Sequence, residues 1–419
     1  MTELEQAIKY IESNEVEKGL KLINEIKDVV ADDEKLLILE YFQQWGLIDE
    51  ALAMADKLLE LYPNEAELLV IKAELYIDVE QEEKALETLE KISHSHPVYA
   101  QALLLMADLY EMQGLPEVAE AKLLNAKELL PDEPVIDFAL GEFFLSQGEF
   151  KNAQKYYKKL LKTEEDFNGT NLHHRLAESL SGLGQFEEAL PHYEKALENK
   201  LEINILFEYG VTAYQAGQHT TAIARLTELK ELDPQYHSVY LPLAKAYEQE
   251  EMLAEALQTA KEGIKDDEFN KELWFYSGKI ALKLQNEEWA EKAFREALAL
   301  DPGYLEALLT LAKLLLHQER FEDVIEHYEH AKEFGEDDPH FEWDLAKAYE
   351  GAEEYKKALN AYEAAYSFFK EDILFLEDYG MFLMEEGKRR EARTMFEKIL
   401  SINPSATDIQ EILWQLEDL

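Results

Sequence analysis

Histidines are the first residues of this sequence to consider for chemistry. His327 and His330 are three residues apart, so on a helix their imidazoles share one face and can bind one metal ion, with His317 as a further ligand. No carboxylate motif completes this ligand set, and two exposed histidines on a helix explain the same pattern. We therefore expect no metal site, and no other residue pattern predicts a cofactor.

The sequence also lacks the motifs of nucleophilic and nucleotide chemistry. It contains no cysteine, which excludes a thiol nucleophile, disulfide bonds and cysteine-ligated zinc. Gly387 and Lys388 are followed by Arg389, where a phosphate-binding loop has the serine or threonine that holds magnesium. With 89 aspartates and glutamates, paired carboxylates occur everywhere and do not indicate catalysis. We expect no catalytic residues and no enzymatic activity.

The net charge excludes two classes of partner. The 419 residues include 41 lysines and arginines against 89 acids, a formal charge of −48. Nucleic acids and anionic membranes are bound through lysine and arginine, so this chain repels both. The first residues carry no targeting signal, and apolar runs such as 102–107 are too short to span a bilayer. These features predict a cytoplasmic protein.

The elements that position these residues follow a repeat of about 34 residues. Ten alanines recur in phase, and Val324 occupies the one remaining position. The alanines are Ala51, Ala85, Ala119, Ala153, Ala189, Ala222, Ala256, Ala290, Ala358 and Ala392. In ten of the eleven cases another alanine or glycine precedes this position by twelve residues. Helix axes approach closely only where side chains are small, so the two positions predict a contact between two helices.

Each repeat is predicted to be a helical hairpin. Apolar residues fall at helical spacing in two blocks, separated by a break that often carries glycine, and proline ends many repeats. Eleven repeats fill residues 32–406, with a degenerate hairpin over 1–31 and a capping helix over 407–419. The repeats begin at Asp32, Ala66, Ala100, Pro134, Thr170, Ile203, His237, Lys271, Leu305, Pro339 and Ile373.

One stretch departs from the regular spacing. The alanine intervals are 36 and then 33 residues on either side of Ala189, and residues 163–171 form the longest polar connection. Within it, Asn168 and Gly169 predict a turn. We therefore expect a joint in the solenoid near residues 163–171.

The repeat that begins at Lys271 identifies a family resemblance. Its residues at the marker positions are Trp274, Gly278, Ala290, Phe294, Ala297 and Pro302. This pattern resembles the tetratricopeptide repeat, or TPR, family. The resemblance implies an all-α fold, a right-handed α-solenoid of stacked helical hairpins. It also implies that the first helices of the hairpins line a concave groove that binds peptides.

Two rows of residues are predicted to line this groove, at positions 5 and 9 of each repeat. Position 5 is apolar in Leu36, Val70, Leu104, Phe138, Phe207, Leu241, Phe275, Leu309 and Trp343. Position 9 reads Glu40, Glu74, Asp108, Glu142 and Glu178, then Val211, then Lys245, Lys279, Lys313 and Lys347, then Met381. We call Lys245, Lys279, Lys313 and Lys347 the lysine row. Core packing explains individual apolar members, and ordinary solvated charge explains the charged row.

Only His174 and Glu377 depart from the apolar row at position 5, and such a row beside four lysines favours a binding surface instead. We predict that the partner contacts the lysine row together with five apolar residues, which are Phe138, Phe207, Phe275, Leu309 and Trp343. The clamp that the resembled family uses for a C-terminal carboxylate has lysine, asparagine and arginine at positions 5 and 9. Here position 5 is apolar and position 9 has no asparagine, so this clamp is not expected.

The predicted function is therefore that of a non-enzymatic scaffold or adaptor. Its groove would bind a protein or peptide segment that combines acidic and apolar residues. Two alternatives remain open, a peptide-responsive regulatory protein and a non-catalytic subunit of an enzyme complex. Regulators of the first kind carry an additional N-terminal domain, for which residues 1–31 are too few. The second requires catalysis by another chain.

Overall fold

The molecule is an all-α solenoid of stacked helical hairpins. The computed structural model describes residues 3–13, 15–198 and 200–417, which contain twenty-five α-helices, one short 3₁₀ helix and one two-stranded sheet. Consecutive helices pair as hairpins, and neighbouring hairpins contact each other within each of the two compact units of the chain. The chain divides after Lys200 into two compact units, which we call the N-terminal and the C-terminal unit.

The N-terminal unit consists of six hairpins. Its helices are α1 (Glu3–Glu12), α2 (Val16–Ile26), α3 (Asp32–Gln44), α4 (Ile48–Leu61), α5 (Ala66–Asp78), α6 (Glu82–Leu89), α7 (Tyr99–Met112), α8 (Pro116–Leu129), α9 (Pro134–Ser146), α10 (Phe150–Leu160), α11 (Leu172–Gly182) and α12 (Phe186–Glu198). The strands β1 (Asp166–Phe167) and β2 (Thr170–Asn171) lie between α10 and α11.

The C-terminal unit consists of six hairpins and a final helix. Its helices are α13 (Ile203–Gln215), α14 (His219–Leu232), α15 (Tyr240–Gln249), α16 (Leu253–Asp266), α17 (Lys271–Lys283), α18 (Glu287–Leu300), α19 (Leu305–His317), α20 (Phe321–Glu333), α21 (Pro339–Gly351), α22 (Tyr355–Phe369), α23 (Ile373–Glu385), α24 (Arg389–Ile402) and α25 (Thr407–Glu417). The 3₁₀ helix, His237–Val239, directly precedes α15.

A residue with left-handed backbone geometry connects the two helices of every repeat. At position 15 six repeats have glycine, such as Gly148 with φ of 72°, and five have glutamate or glutamine, such as Gln285 with φ of 58°. Glycine adopts this geometry without steric cost, whereas other residues pay roughly 1 kcal/mol or more. The repeats with glutamate or glutamine at this position therefore form the same turn as those with glycine, at this cost in energy.

The small residues of the repeat lie where two helices touch. All ten in-phase alanines and Val324 are completely buried. Glycine at position 8 lets an aromatic ring at position 24 lie against the backbone of the first helix. A Cβ on Gly278 would stand 2.5 Å from the Phe294 ring, and one on Gly380 would stand 2.8 Å from the Phe396 ring. The predicted contact is confirmed, and the buried rings fill the space that glycine leaves.

The stretch at 163–171 folds as a β-hairpin. Asp166 pairs with Asn171 and Phe167 pairs with Thr170, and the turn residues Asn168 and Gly169 have φ of 51° and 82°. The Phe167 ring stacks on Phe138 with centroids 5.0 Å apart, which ties the hairpin to α9. The predicted turn is present, and the joint near residues 163–171 stays a prediction.

The last helix, α25, closes the C-terminal unit. Ile409 is buried, while Ile412, Leu413 and Leu416 are half-buried. Leu419, the last residue of the predicted capping helix, lies outside the described residues. Trp414 is 66% exposed. Among the described helices none is both long enough and apolar enough to cross a membrane.

Candidate functional site

The lysine row lies on four successive first helices of the C-terminal unit, α15, α17, α19 and α21. Lys279, Lys313 and Lys347 are exposed, and Lys245 is half-buried. Helix α15 contacts α17, and α19 contacts α21, so these first helices are neighbours in the stack. Packed helices stand roughly 8–10 Å apart, which is close to the Debye length of about 8 Å at physiological salt. Charges at such a separation are only partly screened from one another by salt.

Three of the four lysines are not neutralised by an ion pair. In the described part of the chain, Lys245, Lys279 and Lys313 form no salt bridge. The Lys279 ammonium stands 5.6 Å from the centroid of the Phe275 ring, a cation–π contact. Lys347 differs, because its Nζ lies 3.0 Å from Oδ2 of Asp378.

Asp344 on α21 is a buried carboxylate that lies within electrostatic reach of Lys313 and Lys347. Its side chain is 9% exposed, and Oδ2 accepts a hydrogen bond of 2.6 Å from the Tyr328 hydroxyl. Burial raises the pKa of Asp344, and the positive charges of Lys313 and Lys347 oppose that shift. Asp344 is thus bonded to the core and leaves the exposed face of the row free for an external anion.

The aromatic members of the apolar row pack where one repeat meets the next. Each ring contacts another aromatic residue near the end of its own repeat. The centroid distances are 5.0 Å for Phe138 and Phe167, 5.2 Å for Phe207 and Tyr236, 5.0 Å for Phe275 and Tyr304, and 5.2 Å for Trp343 and Phe369. Position 5 therefore contributes to the stacking of repeats in addition to lining the first-helix face.

Exposure separates the members of this row. Phe275 is only 6% exposed and belongs to the core, so we remove it from the predicted contact residues. Phe207, Leu309 and Trp343 are half-buried and keep part of their surface on the first-helix face. The Trp343 indole Nε1 donates a hydrogen bond of 3.0 Å to Asp378, the residue that also pairs with Lys347. This contact fixes the ring one turn away from that lysine.

Phe138 has a different setting, on α9 of the N-terminal unit. Position 9 of the first helices is acidic in this unit, and Arg175 neutralises part of that charge. Its Nε lies 3.0 Å from Oε1 of Glu142, and its Nη1 lies 2.8 Å from Oε2 of Glu178. Phe138 therefore has acidic neighbours along its face, unlike the other predicted contact residues.

A pocket of about 320 Å³ opens beside Lys347, and the sequence did not predict it. Its walls include Leu316, Phe321, Glu350, Tyr362 and Met381. The Tyr362 hydroxyl donates a hydrogen bond of 2.9 Å to Glu350, whose pKa is raised by burial. Three consecutive repeats contribute to the pocket, so no motif within one repeat could reveal it.

The glycine at position 13 of one repeat was the available signal for this pocket. A Cβ on Gly351 would stand 2.3 Å from the Phe321 ring, so glycine is needed for the ring to lie there. The pocket places an apolar floor next to the ammonium group of Lys347.

The histidines singled out for metal binding are not assembled into a ligand set. None of His317, His327 and His330 takes part in a group of three ligands within 4.8 Å among the described residues. His330 is exposed, and its Nδ1 lies 3.6 Å from Oε2 of Glu333. His327 is largely buried, and burial lowers its pKa to about 4.

Comparison with known proteins agrees with the stacked-hairpin fold. Tetratricopeptide repeat models match residues 174–237, 241–304 and 281–348. The models for YpiA-like tetratricopeptide repeats and for YpiA-like C-terminal tetratricopeptide repeats match residues 111–165 and 339–406. The resemblance seen at the repeat from Lys271 is therefore confirmed.

One relative matches along the whole chain. The TPR repeat-containing protein YpiA of Bacillus subtilis (strain 168) is 46% identical over 417 residues, which cover 100% of this chain and 99% of that protein. The chain therefore belongs to the YpiA-like family of tetratricopeptide repeat proteins. The length and the cysteine-free, acidic layout of the sequence also predict this closer relationship.

More distant matches cover parts of this chain. The protein CTR9 homolog of Arabidopsis thaliana is 26% identical over 260 residues, which cover 58% of this chain and 23% of that protein. The crystal structure of YrrB is described as that of a TPR protein with an unusual peptide-binding site. Its sequence is 19% identical to this one, the match covers 45% of this chain and 96% of the YrrB chain, and the TM-score is 0.39. The C-terminal part of a TPR protein from Cytophaga hutchinsonii is 15% identical, covers 65% of this chain and 97% of its own, and has a TM-score of 0.46.

Proposed function

We propose that the protein is an interaction scaffold whose C-terminal unit binds an acidic segment of a partner along the lysine row. The observation that carries this proposal is the set of three lysines, Lys245, Lys279 and Lys313, that form no salt bridge within the described residues. They occupy successive first helices of a chain with a formal charge of −48. An anionic segment is attracted to this strip and repelled by most of the remaining surface.

The spacing of the row defines the segment that would fit. Neighbouring lysines are roughly 10 Å apart, and an extended chain advances about 3.3–3.6 Å per residue. In a polyproline II segment, which has three residues per turn and advances about 3.1 Å per residue, acidic residues three apart lie on one side roughly 9 Å apart and would therefore meet successive lysines. Apolar residues between them would contact Leu309 and Trp343, which stand one turn from Lys313 and Lys347. The pocket beside Lys347 would accept a larger apolar side chain at the end of the segment.

A synthetic peptide tests the proposal directly. It carries glutamate at every third residue and one tryptophan after the last glutamate, and its binding is followed by fluorescence anisotropy and stopped flow at two salt concentrations. Exposed charge contacts contribute about 0.2–1 kcal/mol each, so Lys279→Glu with Lys313→Glu should slow association and weaken its salt dependence. Trp343→Ala should mainly speed dissociation, because a packed aromatic anchor is lost.

The matched control reverses two exposed lysines on second helices. Lys265→Glu with Lys356→Glu changes the net charge by the same amount at exposed positions outside the row. This control should bind the peptide as the unmodified chain does. Affinity capture from cytoplasm with both double variants, followed by mass spectrometry, then identifies natural partners that depend on the row. Equal binding by the row variant and the control at low salt would contradict the proposal.

A further inference from the structure

A second pocket lies among the second helices of the eighth and ninth repeats, and none of its lining residues belongs to the lysine row. Its volume is about 250 Å³. Leu298 and Ala299 of α18, Leu308 and Leu311 of α19, and His327 of α20 form its walls. The chamber is mainly apolar, so a ligand must bring an apolar body to fill it.

The origin of the pocket is the exception in the alanine pattern. Position 20 is alanine in ten repeats, and in the ninth it is Val324, which is completely buried between α19 and α20. Helix axes approach according to the size of the side chains at their contact, so valine holds these two helices farther apart than alanine does. The pocket opens one turn along α20 from this contact, at His327.

His327, whose ring also interacts with the Leu308 backbone, gives the pocket a polar group. Its Nε2 atom is buried and makes no hydrogen bond within the described part of the chain. Because burial lowers the pKa of His327 to about 4, the ring is neutral at physiological pH. A neutral imidazole nitrogen donates or accepts according to its tautomer, so a group able to do both satisfies it in either state.

The mouth of the pocket is acidic. Glu326, Glu329 and Glu333 of α20 and Asp323 lie beside Arg295 there. Arg295 is held by Glu291, with Nη2 at 2.9 Å from Oε1. Glu326 and Glu329 form no salt bridge among the described residues, which leaves a negative rim around an apolar chamber.

We propose that this pocket binds the tyrosine side chain of a partner segment in which basic residues flank the tyrosine. A volume of about 250 Å³ is below the roughly 300–1,000 Å³ of pockets for drug-sized ligands and suits one side chain. The phenol ring fills the chamber, and its hydroxyl can both donate to and accept from Nε2 of His327. The flanking lysines or arginines face Glu326 and Glu329. Phenylalanine would leave the imidazole nitrogen unpaired, and acidic flanks would be repelled.

Four probes test the proposal by nuclear magnetic resonance of the His327 imidazole and by calorimetry. They are a lysine–lysine–tyrosine–lysine–lysine peptide, the same peptide with phenylalanine, the same peptide with glutamates in place of lysines, and N-acetyltyrosinamide. We expect the first peptide to shift the His327 resonance and to bind about five-fold more tightly than the phenylalanine peptide. The glutamate peptide should not bind, and N-acetyltyrosinamide should bind more weakly than the first peptide.

Variants locate the binding. Ala299 is exposed at the mouth of the pocket, so Ala299→Leu obstructs it without disturbing the core, and should weaken binding of the first peptide at least ten-fold. Ala364 is an exposed alanine on α22 outside the pocket, and Ala364→Leu is the matched control that should leave binding unchanged. His327→Phe should abolish the preference for tyrosine over phenylalanine, and thermal melting checks that each variant folds.

Several results would overturn the proposal. They are the absence of any His327 shift with the tyrosine peptide, equal binding of the tyrosine and phenylalanine peptides, and equal effects of Ala299→Leu and Ala364→Leu. Tight binding of N-acetyltyrosinamide, equal to that of the peptide, would indicate a small-molecule site without a role for the acidic rim. Ala299→Leu should leave binding of the acidic peptide to the lysine row unchanged. The proposals for the two sites are therefore tested independently of each other.

Discussion

The carboxylate of Asp137 should be one of the most important single groups for the stability of the N-terminal unit. It lies on α9 and is 2% exposed. Its Oδ1 stands 2.5 Å from Nζ of Lys127 on α8, and its Oδ2 stands 2.6 Å from Nζ of Lys159 on α10. Burial lowers the pKa of Lys127, which means that burial destabilises the charged form of its ammonium group. The carboxylate joins the third repeat to the fourth.

Replacing Asp137 by alanine removes the only acid of this cluster and leaves two ammonium groups facing each other. Removing one partner from a buried ion pair costs about 3–5 kcal/mol, because the remaining charge stays buried without compensation. Lys159 has a side chain that is 46% exposed, so Lys159→Met should cost no more than about 1 kcal/mol. Replacing the whole cluster with Lys127→Met, Asp137→Leu and Lys159→Met should be neutral or stabilising.

Urea unfolding followed by circular dichroism gives the free energy of unfolding of each variant. Hydrogen exchange of α8, α9 and α10 then shows whether the loss is local, as expected when each repeat contacts mainly its neighbours. A loss below about 1 kcal/mol for Asp137→Ala would refute the reasoning, since it would mean that water reaches the two lysines as easily as in the unfolded chain.

Three further outcomes are expected. Gly148→Ala should destabilise the chain by about 1 kcal/mol in thermal melting, because φ of 72° strains any residue with a Cβ, and Gly148→Asn should cost less. Burial lowers the pKa of His192 to about 4 from an unfolded value near 6.5, so the unfolded chain binds more protons between these values and stability should fall as the pH falls through that window. The variant His192→Gln should flatten this dependence in urea titrations at pH 4 to 7. Deleting residues 407–419 should expose the surface that Ile409 covers and cause aggregation, detected by light scattering, and a monodisperse deletion variant with unchanged melting would contradict this.

The sequence predicted the repeat register well because each repeat encodes it several times. Eight of the eleven first helices begin at the expected residue. Helix α11 begins two residues late, because Thr170 and Asn171 form a strand and the Asn171 side chain caps the helix by accepting from the backbone N–H of His173 and His174. Strands of two residues are too short to leave an alternating pattern in the sequence.

The apolar row was harder to predict, because the exposure of one residue depends on residues outside its own helix. Phe275 and Leu309 occupy the same position, yet Phe275 is covered by Tyr304 and is buried, while Leu309 is half-buried. Phe207 contacts Tyr236 at the equivalent place and is still half-buried, so the burial of position 5 depends on the whole surrounding packing. Periodicity within a helix does not contain that information. The pocket at His327 depends in the same way on one valine between two helices.

The stacking of hairpins on their sequence neighbours also bears on how the chain acquires its structure. The side-chain hydrogen bonds of the described residues join positions no more than 36 apart, the separation of Gln147 and Glu111. A chain of 419 residues thus has the low contact order of a much smaller protein, and little loop entropy is lost before contacts form. Within each unit, a hairpin can fold on its predecessor as it leaves the ribosome, because the contacts among the described helices are between segments that are near in sequence.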